Sequence, residues 1–180
     1  RQRQMCIRDS LQAHRRRGGH ILGLCGGYQM LGELITDPEG LDGLPGECEG
    51  LGLLKVTTTM DAQKTLREVT AQHSKTGLTL KGYEIHLGNT NGPDCQRPFA
   101  FIGQKRDRRP DGACSEDGHV QGSYLHGLFC EDDFRRDFLT RLGAPVSSLS
   151  FEKTLDDVLD QLADHIEQQL DVDAILACAR

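Results

Sequence analysis

The segment HILGLCGGYQ, residues 20–29, is the most informative part of this 180-residue chain. Its first five residues form a short apolar run suited to a buried parallel strand, and the two glycines after Cys25 predict a sharp turn. A cysteine at a strand-to-helix turn has the geometry of the nucleophile elbow of hydrolases, which exposes a reactive side chain. The pattern therefore predicts that Cys25 is a nucleophile; a buried structural cysteine in a glycine-rich turn is the alternative.

The residues after Cys25 supply the other parts of such a site. A helix that starts behind the turn would place positive potential at the thiol and favour the thiolate. The backbone N–H of Gly26 would point at an oxyanion that forms beside the sulfur. Gly27 and Gln29 are further candidates for the pocket that holds this oxyanion. We expect the glycines to occupy positions where a side chain would clash.

A cysteine nucleophile needs a base, and His126 is the best candidate among seven histidines. It follows a predicted strand, residues 120–125, and catalytic groups in open α/β sheets collect at the carboxyl ends of strands. A core histidine bonded to the backbone is the alternative. Four other histidines lie in polar or helical segments that we expect at the surface, and we interpret them as bystanders: His14, His73, His119 and His165.

Glu84 and His86 alternate along a predicted strand, so both lie on one of its faces. That face is either solvated or a wall of the active-site pocket. The position two residues after His126 is Leu128, so a local acid partner is absent there. Glu84 is a candidate for orienting His126 instead, and Tyr124 is a further pocket or orienting candidate.

The rest of the chain alternates strand and helix patterns, which predicts an α/β fold. We expect strands at residues 53–60, 79–87, 99–102 and 120–125, and helices at residues 28–35, 131–142 and 151–170. We expect a glycine-rich loop at residues 40–52 and an exposed excursion at residues 103–118.

Composition excludes several classes of function. A formal net charge of −6 argues against a nucleic-acid or anionic-membrane binder. No apolar run approaches the roughly 20 residues that a membrane span needs. Seven scattered cysteines without a C-x-x-C pair favour a reduced, cytoplasmic protein over a zinc site or a disulfide framework, so we expect no metal.

Five segments carry a family resemblance. In chain order they are GLCGGYQMLGE from residue 23, EGLGLLKVTT from residue 49, KTL from residue 64, GYEIHLGNT from residue 82 and DGHVQGSYLHGLF from residue 117. The first resembles the nucleophile motif of class I glutamine amidotransferases, and the neighbouring cobyrinic acid a,c-diamide synthase family shares it. The ordered set resembles the carboxyl-terminal amidotransferase domain of the cobyric acid synthase family, which implies a three-layer, flavodoxin-like fold.

The resemblance also implies a mechanism and partners. Cys25 would attack the side-chain amide of glutamine, forming a thioester and releasing ammonia, while His126 shuttles protons. The implied acceptor is a corrinoid, adenosylcobyrinic acid a,c-diamide, in a branch that lacks the usual triad glutamate. The chain has no G-x-x-x-x-G-K-[ST] phosphate loop, so we expect ATP and Mg in a separate amino-terminal synthetase domain.

The family's amidotransferase domain begins before the elbow strand, so we expect a chain truncated at its amino end, with residues 11–180 as a partial domain. Residues 1–10 show no periodicity, and we expect them to be non-native or disordered. Two alternatives stay open. One is a stand-alone cysteine hydrolase or peptidase of the same fold, and the other is an inactive scaffold domain.

Overall fold

The computed structural model describes residues 2–103 and 107–178. The helices are α1 (Gln2–Arg16), α2 (Gly26–Leu31), α3 (Asp132–Arg141), α4 (Phe151–Gln169) and α5 (Val172–Cys178), with short 3-10 turns at Pro93–Gln96 and Leu128–Cys130. The strands are β1 (Ile21–Leu24), β2 (Leu34–Asp37), β3 (Gly46–Glu49), β4 (Thr57–Thr59), β5 (Thr65–His73), β6 (Thr79–His86), β7 (Asn89–Asn91), β8 (Ala100–Ile102), β9 (Arg109–Asp111), β10 (Ala113–Cys114), β11 (Val120–Ser123) and β12 (Leu125–His126).

These strands form three sheets, in the orders β1-β11-β10, β12-β6-β5-β8-β9 and β3-β2-β4-β7. Pairing is parallel between β1 and β11 and between β2 and β4, and antiparallel elsewhere. Mixed sheets with helices between the strands confirm the predicted α/β class.

The parallel pair β1 and β11 positions the candidate site. Leu24, the last residue of β1, lies opposite Ser123, the last residue of β11. Parallel strands end at the same edge of a sheet, so the segments that carry Cys25 and His126 leave this edge together. Helix α2 packs closely over β11, since a Cβ atom added at Gly122 would lie 1.9 Å from the ring of Tyr28.

The apolar interior consists of two clusters. One packs α3 against the five-stranded sheet through Phe134, Phe99 and Leu80. The other packs α2 against the three-stranded sheet through Tyr28 and Val120. The site lies at the side of α2 that faces β6, between these clusters.

Residues 28–35 do not form the single helix that we predicted. Helix α2 ends at Leu31, and the chain re-enters a sheet at Leu34. Gly32 is extended, and the N–H of Glu33 donates to the carbonyl of Val56. This pairing beside β4 overrides a helical spacing that is only two turns long, because short apolar runs fit strands equally well.

Several further boundaries differ from the prediction. Strand β3 lies inside the predicted loop, β5 was not predicted, and the strand expected at residues 53–60 is reduced to β4. The strand expected at residues 120–125 is divided between β11 and β12, which belong to different sheets. The expected excursion at 103–118 contains β9 and β10 and buries Asp111 and Cys114, while residues 104–106 lie outside the described residues.

The two ends of the chain are helical. Helix α1 runs through most of the segment for which we expected no periodicity, and the Arg8 guanidinium donates to the carbonyl of Gly50. The non-native origin of residues 1–10 stays a prediction. Helices α3 and α4 confirm the helices expected at residues 131–142 and 151–170. Within the described ranges, no helix has the length and apolar character needed to cross a bilayer.

Candidate active site

Cys25 occupies the sharp turn that the sequence predicts. It follows β1 directly, precedes α2, and has a φ of 52° and a ψ of −119°. In the described part of the chain it is the one non-glycine residue with positive φ, a conformation that costs about 1–3 kcal/mol and often marks a functional site. Its N–H donates to the carbonyl of Ser123 at 3.0 Å, which anchors the turn to the end of β11.

The glycines of the elbow have different roles. A Cβ atom at Gly23 would lie 2.5 Å from Leu31 Cδ1 and 2.7 Å from the carbonyl oxygen of Gly27, so the expected clash is real there. At Gly26 and Gly27 the prediction of a clash was wrong, because no atom lies within 4 Å of an added Cβ. Both glycines are exposed, and their Cα atoms border open space.

Strand β6 holds the elbow and the candidate base side by side. The thiol of Cys25 donates to the carbonyl of Ile85 at 3.3 Å, and Gln29 Nε2 donates to the carbonyl of Leu87 at 3.0 Å. Two residues before Ile85, Tyr83 pairs with His126 of β12. Strand β5 pairs with the opposite edge of β6. The elbow and β12 therefore both lie along the same remaining edge of β6. The structure thus brings Cys25, Gln29 and His126 to one edge.

His126 is partly buried, and its Nε2 has no hydrogen-bond partner among the residues that the structure describes. Nor does any hydrogen bond there join its ring to the thiol of Cys25, which instead donates to Ile85. An unpartnered imidazole nitrogen beside a cysteine is available to accept or donate a proton during a reaction. The alternative was a core histidine bonded to the backbone, and Nε2 of His126 makes no such bond to the described residues.

A chain of hydroxyl groups orients Gln29. Its Nε2 also donates to the hydroxyl of Tyr124 at 3.2 Å, and that hydroxyl bonds to Thr90 Oγ1, which bonds to Thr58 Oγ1 at 2.7 Å. Burial raises the pKa of Tyr124, so its hydroxyl stays protonated and able to donate. Both amide hydrogens of Gln29 are used, and its Oε1 has no donor among the described residues, so it remains available as an acceptor.

A cleft of about 530 Å³ opens beside these groups. Its wall contains Gly26 and Gln29, so it adjoins the elbow, and Met30 and Met60 supply apolar surface. The acids Asp37, Asp42 and Glu47 also line it. Hydrogen bonds from the N–H groups of Asp42 and Leu41 lower the pKa of Asp37, which is therefore ionised at neutral pH.

Glu84 does not contact His126. Its buried carboxylate bonds to Arg67 Nε at 2.7 Å, to Arg109 Nη1 at 3.0 Å and to His86 Nε2 at 3.3 Å. Burial alone would raise the pKa of Glu84, but the hydrogen bonds from Arg109 and Arg67 lower it below its usual value. The strand register explains why Glu84 does not contact His126, because Leu125 rather than His126 lies opposite Glu84.

The expected common face of Glu84 and His86 is confirmed by the bond between their side chains. His86 also stacks on Tyr124, with ring centroids 4.0 Å apart. Glu84, His86 and Tyr124 therefore form one cluster beside the elbow. This cluster connects to Cys25 through Tyr124 and Gln29, and not through His126.

The other thiols are poor nucleophile candidates. Burial raises the pKa of Cys114 to about 11 and also raises that of Cys95. Cys48, Cys130 and Cys178 are exposed and free. None of them shares the strained turn of Cys25.

His73 is a correction to the prediction of surface bystanders. It is 1% exposed and packs between Phe99 and Phe134, because β5 turns its last residue into the core. His14, His119 and His165 lie at or near the surface, as expected.

Three residues near the site were missed at the sequence level: Arg67, Arg109 and Asp111. The buried Asp111 accepts hydrogen bonds from the hydroxyl of Ser123 at 2.6 Å and from the N–H of Tyr124 at 3.3 Å, which fixes the bend between β11 and β12. Burial raises the pKa of Asp111 despite these bonds. The β-branched residues Thr65, Val69 and Thr70 are the signal that could have indicated a strand around Arg67.

The described residues contain no group of three or more His, Cys, Asp or Glu side chains that could hold a metal ion. The geometry offers a cysteine in a strained turn, an imidazole that lies against the same strand, and two exposed glycines after the cysteine. These groups are suited to a cysteine-dependent acyl transfer site.

Comparison with known proteins agrees with this chemistry. Residues 2–134 match the CobB/CobQ-like glutamine amidotransferase domain. A cobyric acid synthase of Cereibacter sphaeroides is 56% identical over 170 residues, which are 94% of this chain and 34% of that protein. A cobyric acid synthase of Bradyrhizobium diazoefficiens is 55% identical over the same shares, and one of Jannaschia sp. is 51% identical over 92% of this chain and 34% of its own length.

The chain thus spans about a third of the length of the curated relatives it matches. The family match covers the elbow, both candidate catalytic residues and the Glu84 cluster. The chain belongs to the CobB/CobQ-like glutamine amidotransferase domain family.

Proposed function

We propose that this chain hydrolyses glutamine through Cys25 and His126 and supplies ammonia to an amide ligase. The Cys25 thiolate attacks the side-chain carbonyl carbon of glutamine, and the Gly26 N–H stabilises the resulting oxyanion. His126 Nε2 delivers the proton that the departing nitrogen needs, which breaks the C–N bond and releases ammonia. Water then attacks the thioester, His126 accepts its proton, and glutamate leaves with the thiol restored.

The observation that carries this proposal is the strained Cys25 turn beside open backbone and an unpartnered His126 Nε2. The cleft next to Gln29 suits the rest of the substrate. The Oε1 of Gln29, which has no donor among the described residues, accepts from an ammonium group, and the Asp37 carboxylate of the cleft attracts the same positive charge. We assign the α-ammonium end of glutamine to this side of the cleft.

We further propose that the ammonia is consumed in cobalamin (vitamin B12) biosynthesis. The relatives named cobyric acid synthase support this assignment over a cobyrinic acid a,c-diamide synthase-type enzyme, since three of them are at least 51% identical. The acceptor would be the corrinoid adenosylcobyrinic acid a,c-diamide, in the cytoplasm. In this proposal ATP and Mg act in a separate synthetase domain, in line with the sequence, which contains no G-x-x-x-x-G-K-[ST] phosphate loop.

The test is glutamate release from glutamine by the purified chain. We expect Cys25→Ser and His126→Asn each to lower the rate by about a thousandfold, because both residues take part in bond breaking. Cys178→Ser, which removes an exposed thiol far from the elbow, is the matched control and should retain the full rate.

Labelling with an electrophilic glutamine analogue separates the alternatives. We expect one adduct on the peptide that contains Cys25, and excess glutamine should protect it. Peptide hydrolysis without glutamine turnover would support a stand-alone hydrolase. A folded chain with neither turnover nor labelling would be an inactive scaffold, and the proposal would be wrong.

A further inference from the structure

We infer that a second cavity, next to the elbow and separate from the glutamine cleft, binds a small carboxylate. The cavity measures about 400 Å³ and lies among β5, β6, β7 and β9. Its lining includes Arg67, Arg109 and His86, whereas Cys25 and Gln29 do not line it. The inference rests on this geometry and does not depend on the proposed glutaminase activity.

Glu84 fixes the two arginines without using all their donors. Arg67 donates to Glu84 only through its Nε, and its terminal nitrogens have no acceptor among the described residues. Arg109 bonds to the same carboxylate through both terminal nitrogens. The carboxylate is buried and the guanidinium of Arg67 is half exposed, so the pair presents an anchored cation at the mouth of the cavity.

His86 adds a further polar group. Its Nδ1 lies 3.0 Å from the carbonyl of Gly88, and its Nε2 lies 3.3 Å from Glu84 Oε1. These contacts hold the imidazole ring in the wall of the cavity that also contains the two arginines.

The acidic side chains in the lining already have partners. The carboxylate of Glu84 bonds to Arg67, Arg109 and His86. Asp111 accepts from Ser123 and Tyr124. The terminal nitrogens of Arg67 remain as donors without a partner among the described residues, and they favour an anionic ligand.

The donor set fits a carboxylate better than a phosphate. A guanidinium matches the planar geometry of a carboxylate, and the side-chain amides of Asn89 and Asn91 in the lining add neutral donors. None of the lining residues in the described ranges begins an α-helix, the element whose N-terminus commonly binds phosphate.

The test is a titration of the full 180-residue chain with malonate by calorimetry at constant ionic strength. We expect binding with a dissociation constant in the millimolar range and a shift of the His86 ring signals in the NMR spectrum. Arg67→Gln should weaken binding about tenfold, because one charge-assisted hydrogen-bond donor is lost. The variant should fold, since Arg67 is half exposed and Glu84 keeps Arg109.

Arg136→Gln is the matched control, because it removes an arginine that pairs with Asp133 on the surface of α3. It should bind malonate as the unchanged chain does. Equal binding by Arg67→Gln, or no binding by the unchanged chain, would overturn the site. Tighter binding of inorganic phosphate than of malonate would overturn its assignment to a carboxylate. Cys25→Ser should bind malonate normally, so failure of the proposed glutaminase activity would leave this result intact.

Discussion

The hydroxyl of Tyr124 is the group through which the side chain of Gln29 keeps one orientation. Without it, the Gln29 amide would hold only the carbonyl of Leu87, and a rotated amide would turn a donor toward the cleft. In the proposed mechanism the strained Cys25 turn positions the nucleophile, whereas the orientation of Gln29 positions the substrate.

We therefore expect Tyr124→Phe to raise the KM for glutamine about fivefold and to change kcat less. The expected factor corresponds to about 1 kcal/mol for one neutral hydrogen bond. The phenyl ring should still stack on His86, so the fold is retained. Steady-state kinetics on this variant and on Tyr83→Phe, whose hydroxyl has no partner among the described residues, provide the measurement.

An equal loss of kcat and kcat/KM in Tyr124→Phe would contradict the positioning role. It would show that the hydroxyl acts on the reacting atoms themselves.

At this scale the sequence predicts the local parts of the site but not its cross-strand contacts. Cys25 and its glycines are contiguous, so a strand followed by a turn is sufficient to identify them. The partners of Glu84 are not contiguous with it: Arg67 and Arg109 reach it only through strand pairing. Which side chains contact Glu84 therefore depends on strand register, and the pattern of a single strand does not specify register.

At the scale of elements, β6 is the platform of the site. Its edge pairs with β12 and then accepts hydrogen bonds from Cys25 and Gln29, so the position of His126 depends on how closely β12 approaches β6. Gly82 permits that approach, because a Cβ atom there would lie 1.8 Å from the carbonyl oxygen of His126.

We expect Gly82→Ala to push β12 away from β6. The free energy of unfolding should fall by about 1–3 kcal/mol, as for other overpacked positions, and glutamine hydrolysis should fall by about a hundredfold because His126 moves. Denaturant unfolding and glutamate release measure the two effects.

Gly46→Ala is the control for stability, because a Cβ atom at Gly46 in β3 would meet only the carbonyl oxygen of Leu44, at an ordinary contact distance of 3.9 Å. Its free energy of unfolding should stay within about 0.5 kcal/mol of the unchanged chain. If Gly82→Ala is equally harmless, β12 does not need the close approach.

The elements that the sequence failed to predict are those whose pairing partner decides their structure. Strand β5 has a mostly exposed pattern and carries Arg67 and Glu68, so its alternation of apolar residues is weak. Residues 34–37 have a helical spacing, yet they form β2 because β3 and β4 flank them. In contrast, α3 and α4 follow from their own periodicity, which tertiary contacts did not override.

At the scale of the whole molecule, the core contains an ionisable group that links stability to pH. Burial lowers the pKa of His73 from 6.5 to about 4. Between these values the unfolded chain binds more protons than the folded chain, so the free energy of unfolding falls as the pH falls.

We expect a loss of roughly 2 kcal/mol from this group between pH 7 and pH 4.5. His73→Phe, which cannot titrate, should show a smaller pH dependence by that amount, and His165→Gln on the exposed face of α4 should not. Denaturant unfolding at both pH values measures the difference. An unchanged pH dependence in His73→Phe would show that other groups account for the acid sensitivity.

Helix α4, the long helix that precedes α5, lies outside the two core clusters. None of its residues is buried, and its apolar side chains, among them Leu155, Leu159 and Leu162, are about half exposed. The core instead packs α3 through Phe134, which is fully buried between the five-stranded sheet and the aromatic rings around it.

The two helices should therefore respond differently to the loss of apolar surface. Replacing Leu155, Leu159 and Leu162 together by Gln should change the free energy of unfolding by less than about 0.5 kcal/mol, because none of these side chains is buried in the core. Phe134→Ala should cost about 3–5 kcal/mol, since it leaves a cavity in the core. Denaturant unfolding of the two variants makes the comparison, and a large loss from the triple variant would show that α4 packs on the folded body in solution.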